Sequence, residues 1–139
     1  MTDRTILIIK TSWSYILAQP VNTGAEFYEQ LFALDPSLKP MFKADMENQQ
    51  TKFMDMITFM VLNLQNTADI QKQIDQLGKQ HAGYGVKNEH YKLVGTALIN
   101  TLKTSLEDLW NEETRLAWAD LYELWSSSMI LASHHPDNN

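Results

Sequence analysis

The chain contains no cysteine, and that absence removes a long list of chemistries. Disulfides, thiolate zinc sites, iron–sulfur clusters, blue-copper ligation and thioether attachment of a cofactor all require a thiol. Glycine and proline are scarce, five and four in 139 residues, so the periodic segments run almost uninterrupted. No stretch approaches the roughly 18–20 apolar residues of a membrane span. The run Ile6-Leu7-Ile8-Ile9, closed by Lys10, is too short for the apolar region of a signal peptide, which points to a cytoplasmic protein. Cationic residues are also few. Eleven Lys+Arg against 17 Asp+Glu leave a net charge of −6, which disfavours nucleic acid and anionic membranes as partners.

The chain does have a hydrophobic fraction of 44%, enough for a globular core in one domain. We read residues 1–133 as that domain and residues 134–139 as a polar tail. Apolar residues recur at spacings of three and four nearly everywhere, and strand-like alternation is hard to find. The fold class is all-α, with about seven helices of unequal length.

Thr2 or Asp3 caps a first helix carrying Ile6, Ile9, Trp13, Ile16 and Leu17, which Pro20 ends. A second runs from about Val21 to Leu34, with Phe27, Leu31 and Leu34 on one face. Asp35-Pro36 is an N-cap followed by proline at the first helical position, and Phe42 follows at a corner. A long helix from about Asn48 to Leu64 precedes one capped by Asn66-Thr67, which carries Ile70, Ile74, Leu77 and His81 and ends at Gly83-Tyr84-Gly85. Asn88 caps the next, and Asn111 the last, with Leu116, Trp118, Leu121, Tyr122, Trp125 and Met129 inward. Trp110, just before that last helix, is the best candidate for an exposed aromatic.

Of four histidines, His90 falls in a helix's first turn, and His134 and His135 lie in the tail. His81 stands apart because it shares a helical face with Leu77, four residues earlier. A neutral imidazole there can bind a metal through one nitrogen; taken alone, the pattern is more often that of a core histidine satisfied by a hydrogen bond.

The order of the motifs narrows the choice. Glu26-Phe27-Tyr28-Glu29-Gln30-Leu31-Phe32, Asp35-Pro36-Ser37-Leu38-Lys39-Pro40-Met41-Phe42, Leu77-Gly78-Lys79-Gln80-His81 and His90-Tyr91-Lys92-Leu93-Val94-Gly95, with Ala117-Trp118 and Tyr122, resemble a globin. The likeness is to bacterial single-domain globins and the haem domains of flavohaemoglobins. It implies haem b as cofactor, with His81 as the proximal iron ligand. Phe42 matches the corner phenylalanine against the haem face, and Gln49 the distal residue. Tyr28 matches the distal-side tyrosine, Phe53 lies over the iron, and Lys52 stands near the haem edge, within reach of a propionate. Ile57, Leu77, Tyr84, Val86, Tyr91 and Val94 complete the implied haem contacts.

The resemblance implies an oxygen-binding or oxygen-transport protein, with dioxygen, nitric oxide or another small gas as ligand. Ferrous iron lends such a ligand partial negative charge, so a hydroxyl from Tyr28 and an amide from Gln49 can both donate to it. Two net bonds of about 1 kcal/mol each change affinity roughly thirtyfold. Neither Gln49 nor Phe53 is a good iron ligand, which leaves a position open. The alternative is nitric oxide dioxygenase or peroxidase-like turnover with a separate reductase. Three departures from flavohaemoglobins weigh against self-sufficient nitric oxide dioxygenase activity. Gln80 stands where lysine is usual, Leu131-Ala132-Ser133 offers no carboxylate to the proximal histidine, and no flavin or nicotinamide domain lies within the 139 residues. A carboxylate there would make the histidine more electron-donating.

Overall fold

The computed structural model describes residues 1–42, 45–83 and 87–133, and the side chains of 67–70, 81–83 and 133 fall outside that description. The elements are α1 (Asp3–Ala18), α2 (Thr23–Leu34), a 3-10 segment (Pro36–Met41), α3 (Met46–Leu62), α4 (Thr67–Gly83), α5 (Asn88–Leu106), a second 3-10 segment (Glu107–Leu109) and α6 (Glu112–Ser133). No strand occurs among the described residues, and no helix there is long and apolar enough to cross a membrane.

Short polar side chains start most of these helices by accepting orphaned backbone N–H groups. Thr2 Oγ1 accepts from Thr5 at 3.1 Å, Asn22 Oδ1 from Ala25 at 3.0 Å and Asn111 Oδ1 from Thr114 at 2.8 Å. Asp35 caps the first 3-10 segment through Ser37 N–H at 3.0 Å. Pro40 lies inside that segment and, lacking an N–H, fits it better than a continued α-helix.

Several boundaries and faces differ from the sequence pattern. The second helix begins at Thr23 because Asn22 is the cap, and the third begins at Met46 because Asp45 accepts from Glu47 N–H at 3.2 Å. Asn88 is the first residue of α5, not its cap. The Lys87 N–H donates instead to His90 Nδ1 at 2.9 Å, so a side chain inside the helix turns back to serve its entrance. Leu17, Leu34 and Leu116 are 49%, 42% and 47% exposed. Leu17 and Leu116 each adjoin a buried residue, and 100° per residue carries them off the buried stripe, whereas Leu34 is the last residue of α2. Trp110 is half-buried against the core, and Tyr15 is the more exposed aromatic.

Trp13, Trp118 and Trp125 are buried as their spacing implies. The rings of Trp13 and Trp118 meet at 5.9 Å between centroids, tilted by 53°. Their indole N–H groups are both satisfied. Trp13 donates to Thr58 Oγ1 at 2.9 Å and Trp118 to Ser12 Oγ at 2.8 Å. Burial without those partners would cost each indole about 1–3 kcal/mol. This cluster ties α1, α3 and α6 together behind the functional region.

The helix pairing then separates α3 from α4. Among the described residues, α3 packs on α2 and α1, whereas α4 packs chiefly on α6; α3 and α4 have little contact of their own. The α4–α6 contact is close enough to involve backbone. A Cβ on Gly78 would lie 2.3 Å from the Met129 carbonyl oxygen and 3.0 Å from Ala132 Cβ, so only glycine allows the approach.

Candidate functional site

An aromatic box is built by α2, α3 and the corner between them. Phe27 and Phe53 stack with centroids 4.0 Å apart and planes 19° from parallel. Tyr28 stands edge-on to Phe27 at 5.0 Å, Phe42 at 5.3 Å and Phe53 at 6.1 Å. Phe32 closes the far side, 5.5 Å from Phe42. Such edge-to-face pairs set ring positions as well as burying area. Asn22 Nδ2 donates to Gln50 Oε1 at 3.1 Å and stitches α2 to α3 beside the box.

Tyr28 is buried, with 7% of its surface exposed. Loss of solvent pushes its hydroxyl up from 10.0 to about 12, and a hydrogen bond with the Gln49 side chain pulls partly the other way. The hydroxyl therefore stays protonated, and remains a donor, at any physiological pH. Gln49 is half-buried in the first turn of α3. The two residues matched to the distal side of the likeness are thus close enough for Gln49 to act on the Tyr28 hydroxyl.

The remaining matched residues lie on α4 and α5. Leu77 is half-buried against the core, as is Val94, and Tyr91 is 6% exposed. Burial raises the hydroxyls of both Tyr91 and Tyr122 above the ordinary value for tyrosine. Tyr122 donates to the Tyr91 backbone carbonyl at 2.6 Å. His81 belongs to the helical run of α4, one turn after Leu77 and Gly78. Its side chain lies outside the described residues, as do Tyr84 and Val86 altogether.

The remaining residues fall where their helices put them. Ile57 is at the edge of burial on α3, one turn past Phe53. Lys52 is exposed on the same helix, free to reach an anionic group at the rim by snorkelling. Two residues are more prominent than their sequence signal. Phe27 stacks on Phe53, and Tyr122 grips a backbone carbonyl. Aromatic spacing placed both inward, but no local pattern reveals whose ring or carbonyl they meet.

These features suit haem. Phe42, Phe53, Leu77 and Val94 pack against the core yet remain only half-covered by protein, the state expected of side chains that line a slot for a flat apolar ligand. The donor set suits it as well, with an imidazole-bearing helix, no thiol to compete for iron and a hydrogen-bond donor pair in an apolar box.

Comparison with known proteins agrees. The pattern of the globin family matches residues 25–129. A bacterial globin from Campylobacter jejuni superposes with a TM-score of 0.81 at 28% identity, over 95% of this chain and 96% of that one. An engineered carbene transferase, a candidate nitric oxide dioxygenase from Rhodothermus marinus, has the same fold. It gives a TM-score of 0.84 at 22% identity, over 96% and 93% of the two chains. Among curated proteins, an anaerobic nitrite reductase of Gossypium hirsutum is 25% identical over 87% of this chain and 83% of its own. With the family pattern spanning most of its length, the chain belongs to the globin family of haem proteins.

Proposed function

We propose that this globin reversibly binds dioxygen, or a related diatomic gas, at haem b held by His81. The observation that carries the reading is the buried Tyr28 hydroxyl paired with Gln49 inside the aromatic box. Haem, when bound, supplies an iron with one position left for a small gas. A non-covalent haem b follows from the absence of thiols.

The chain's own residues do the rest. His81 is the iron ligand, and Leu77 with Val94 covers the apolar edge on its side. Phe42 and Phe53 exclude water from the gas position, and Tyr28 and Gln49 donate hydrogen bonds to a ligand carrying partial negative charge. Because Gln49 acts directly on the Tyr28 hydroxyl and neighbouring rings fix the Tyr28 ring, less ordering is left to do on binding. Lys52 pairs with a propionate at the rim. Oxygen dissociation measured by stopped flow tests the assignment. Slow release that accelerates in Tyr28→Phe supports it, and an unchanged rate removes Tyr28 from the site.

A second reading is enzymatic, favoured by the names of relatives linked to nitric oxide and nitrite. The same donor pair would serve dioxygenation of nitric oxide, with electrons from a separate reductase. Mixing the oxygenated protein with nitric oxide and a reductase separates the two. Sustained turnover supports the enzyme, and one stoichiometric oxidation excludes it.

A further inference from the structure

The side chain of Asn22 serves two helices at once. Its Oδ1 accepts from the Ala25 N–H at 3.0 Å and so caps α2. Its Nδ2 donates to Gln50 Oε1, on α3, at 3.1 Å. The helices run close at this point. A Cβ on Gly24 would lie 3.0 Å from the Gln50 carbonyl oxygen and 3.2 Å from Met54 Cγ, so a short amide reaches across.

The clasp holds the entrance of α3. That helix begins at Met46, which puts Gln49 in its first turn. Helix ends fray, because their first N–H groups have no partner inside the helix. Here Asp45 serves two of them. Its carboxylate accepts from the Glu47 N–H at 3.2 Å, and its carbonyl from the Gln49 N–H at 3.0 Å. Both bonds lie within the entrance itself. The bond from Asn22 ties the entrance to another helix, one residue past Gln49. Tyr28 stands one turn after Gly24 on α2, so the two distal residues flank the crossing that Asn22 closes.

We propose that Asn22 is a positioning residue for the gas-binding side, holding the first turn of α3 through Gln50 so that Gln49 keeps its place beside the Tyr28 hydroxyl. The proposal rests on the reading of Gln49 as a donor to the bound gas. Asn22 does not touch the gas; it limits how far the donor strays when the helix end frays.

The test uses the haem-loaded full chain in the ferrous state. Carbon monoxide is one probe, read by its infrared stretching band, and dioxygen the other, read by its release in stopped flow. A donor beside bound carbon monoxide changes its stretching frequency, so the band reports the distal donors rather than overall stability. Asn22→Ser keeps a capping hydroxyl for α2 but is too short to reach Gln50. Asn22→Asp keeps both functions, because the Gln50 amide can turn over and donate to it. Gln50→Ala removes the partner. We expect Asn22→Ser and Gln50→Ala each to broaden the band or move it towards its place in Gln49→Leu. Each should also speed oxygen release about two- to fivefold, the effect of one net hydrogen bond. Asn22→Asp should keep the band and rate of the unmodified protein. Leu106→Ala, a core truncation at the end of α5, lowers stability but should leave the band in place. An Asn22→Ser band that superimposes on the unmodified protein overturns the proposal. So does an equal displacement in Asn22→Asp or in Leu106→Ala. Gln49→Leu separates the two levels. If it moves the band while Asn22→Ser is silent, only the proposal falls; if it too is silent, the donor reading of Gln49 falls and the proposal with it.

Discussion

Tyr28 and Gln49 are neighbours across the junction of α2 and α3: burial pushes the Tyr28 hydroxyl up to about 12 and the Gln49 side chain pulls it partly back, while Phe27 and Phe53 stand edge-on to the Tyr28 ring. The pair joins a phenol whose burial keeps it protonated to an amide that can donate or accept. Their coupling is measurable. Tyr28→Phe should speed oxygen release about tenfold, the loss of one buried donor to a partly charged ligand. Gln49→Leu should do so less. The double variant should fall short of the product of the two, because each single change already disturbs the partner. Stopped-flow dissociation checks this, and strict multiplicativity would mean the two act independently.

The same burial has a consequence at high pH. The Tyr28 hydroxyl sits at about 12 when folded against 10.0 when exposed, so folding favours its protonated form. That contribution is complete below pH 10 and is lost as pH climbs from 10 towards 12. Urea unfolding across this window should show stability falling more gently in Tyr28→Phe than in the unmodified protein. Parallel slopes would place the alkaline sensitivity entirely in other groups, such as the buried Tyr91 and Tyr122.

Leu77 stands one turn before His81 on α4 and is only half-covered. Leu77→Ala should open space beside the proximal ligand and weaken haem retention, with transfer to apomyoglobin several-fold faster. A cavity of this kind costs up to about 2–5 kcal/mol when fully buried, and less here. Unchanged haem loss would mean Leu77 does not border the haem.

Gly78→Ala tests the seat of α4 on α6. The new methyl would meet the Met129 carbonyl at 2.3 Å, and backbone cannot step aside as a side chain can. Overpacking of this sort costs about 1–3 kcal/mol, visible as a lower urea midpoint with an unchanged slope. A neutral result would show that the two helices slide apart freely.

Much of this arrangement is legible in the sequence because it is local. Asp35-Pro36 and Asn111 mark helix starts through bonds to residues two or three positions on, and the inward tryptophans follow from helical period alone. The globin likeness then orders Tyr28, Phe42, Gln49 and His81 along the chain. What escapes is decided by distant partners. One exception is local: the cap of α5 comes from His90, three residues after Lys87, where Asn88 is the residue type that suggests a cap. Leu116 is apolar yet exposed, because burial on α6 is assigned by α1, α4 and α5 rather than by residue type. The bond from Tyr122 to the Tyr91 carbonyl crosses between helices and needs Gly95 to make room, a relation with no sequence period.

The central claim is that His81 holds haem iron. The most direct measurement is the absorption spectrum of the full chain after reconstitution with haem, beside His81→Ala. The account predicts an intense Soret band in the unmodified protein, with one haem bound per chain, and its loss or marked shift in the variant. No Soret band, or one that survives His81→Ala unchanged, would contradict it.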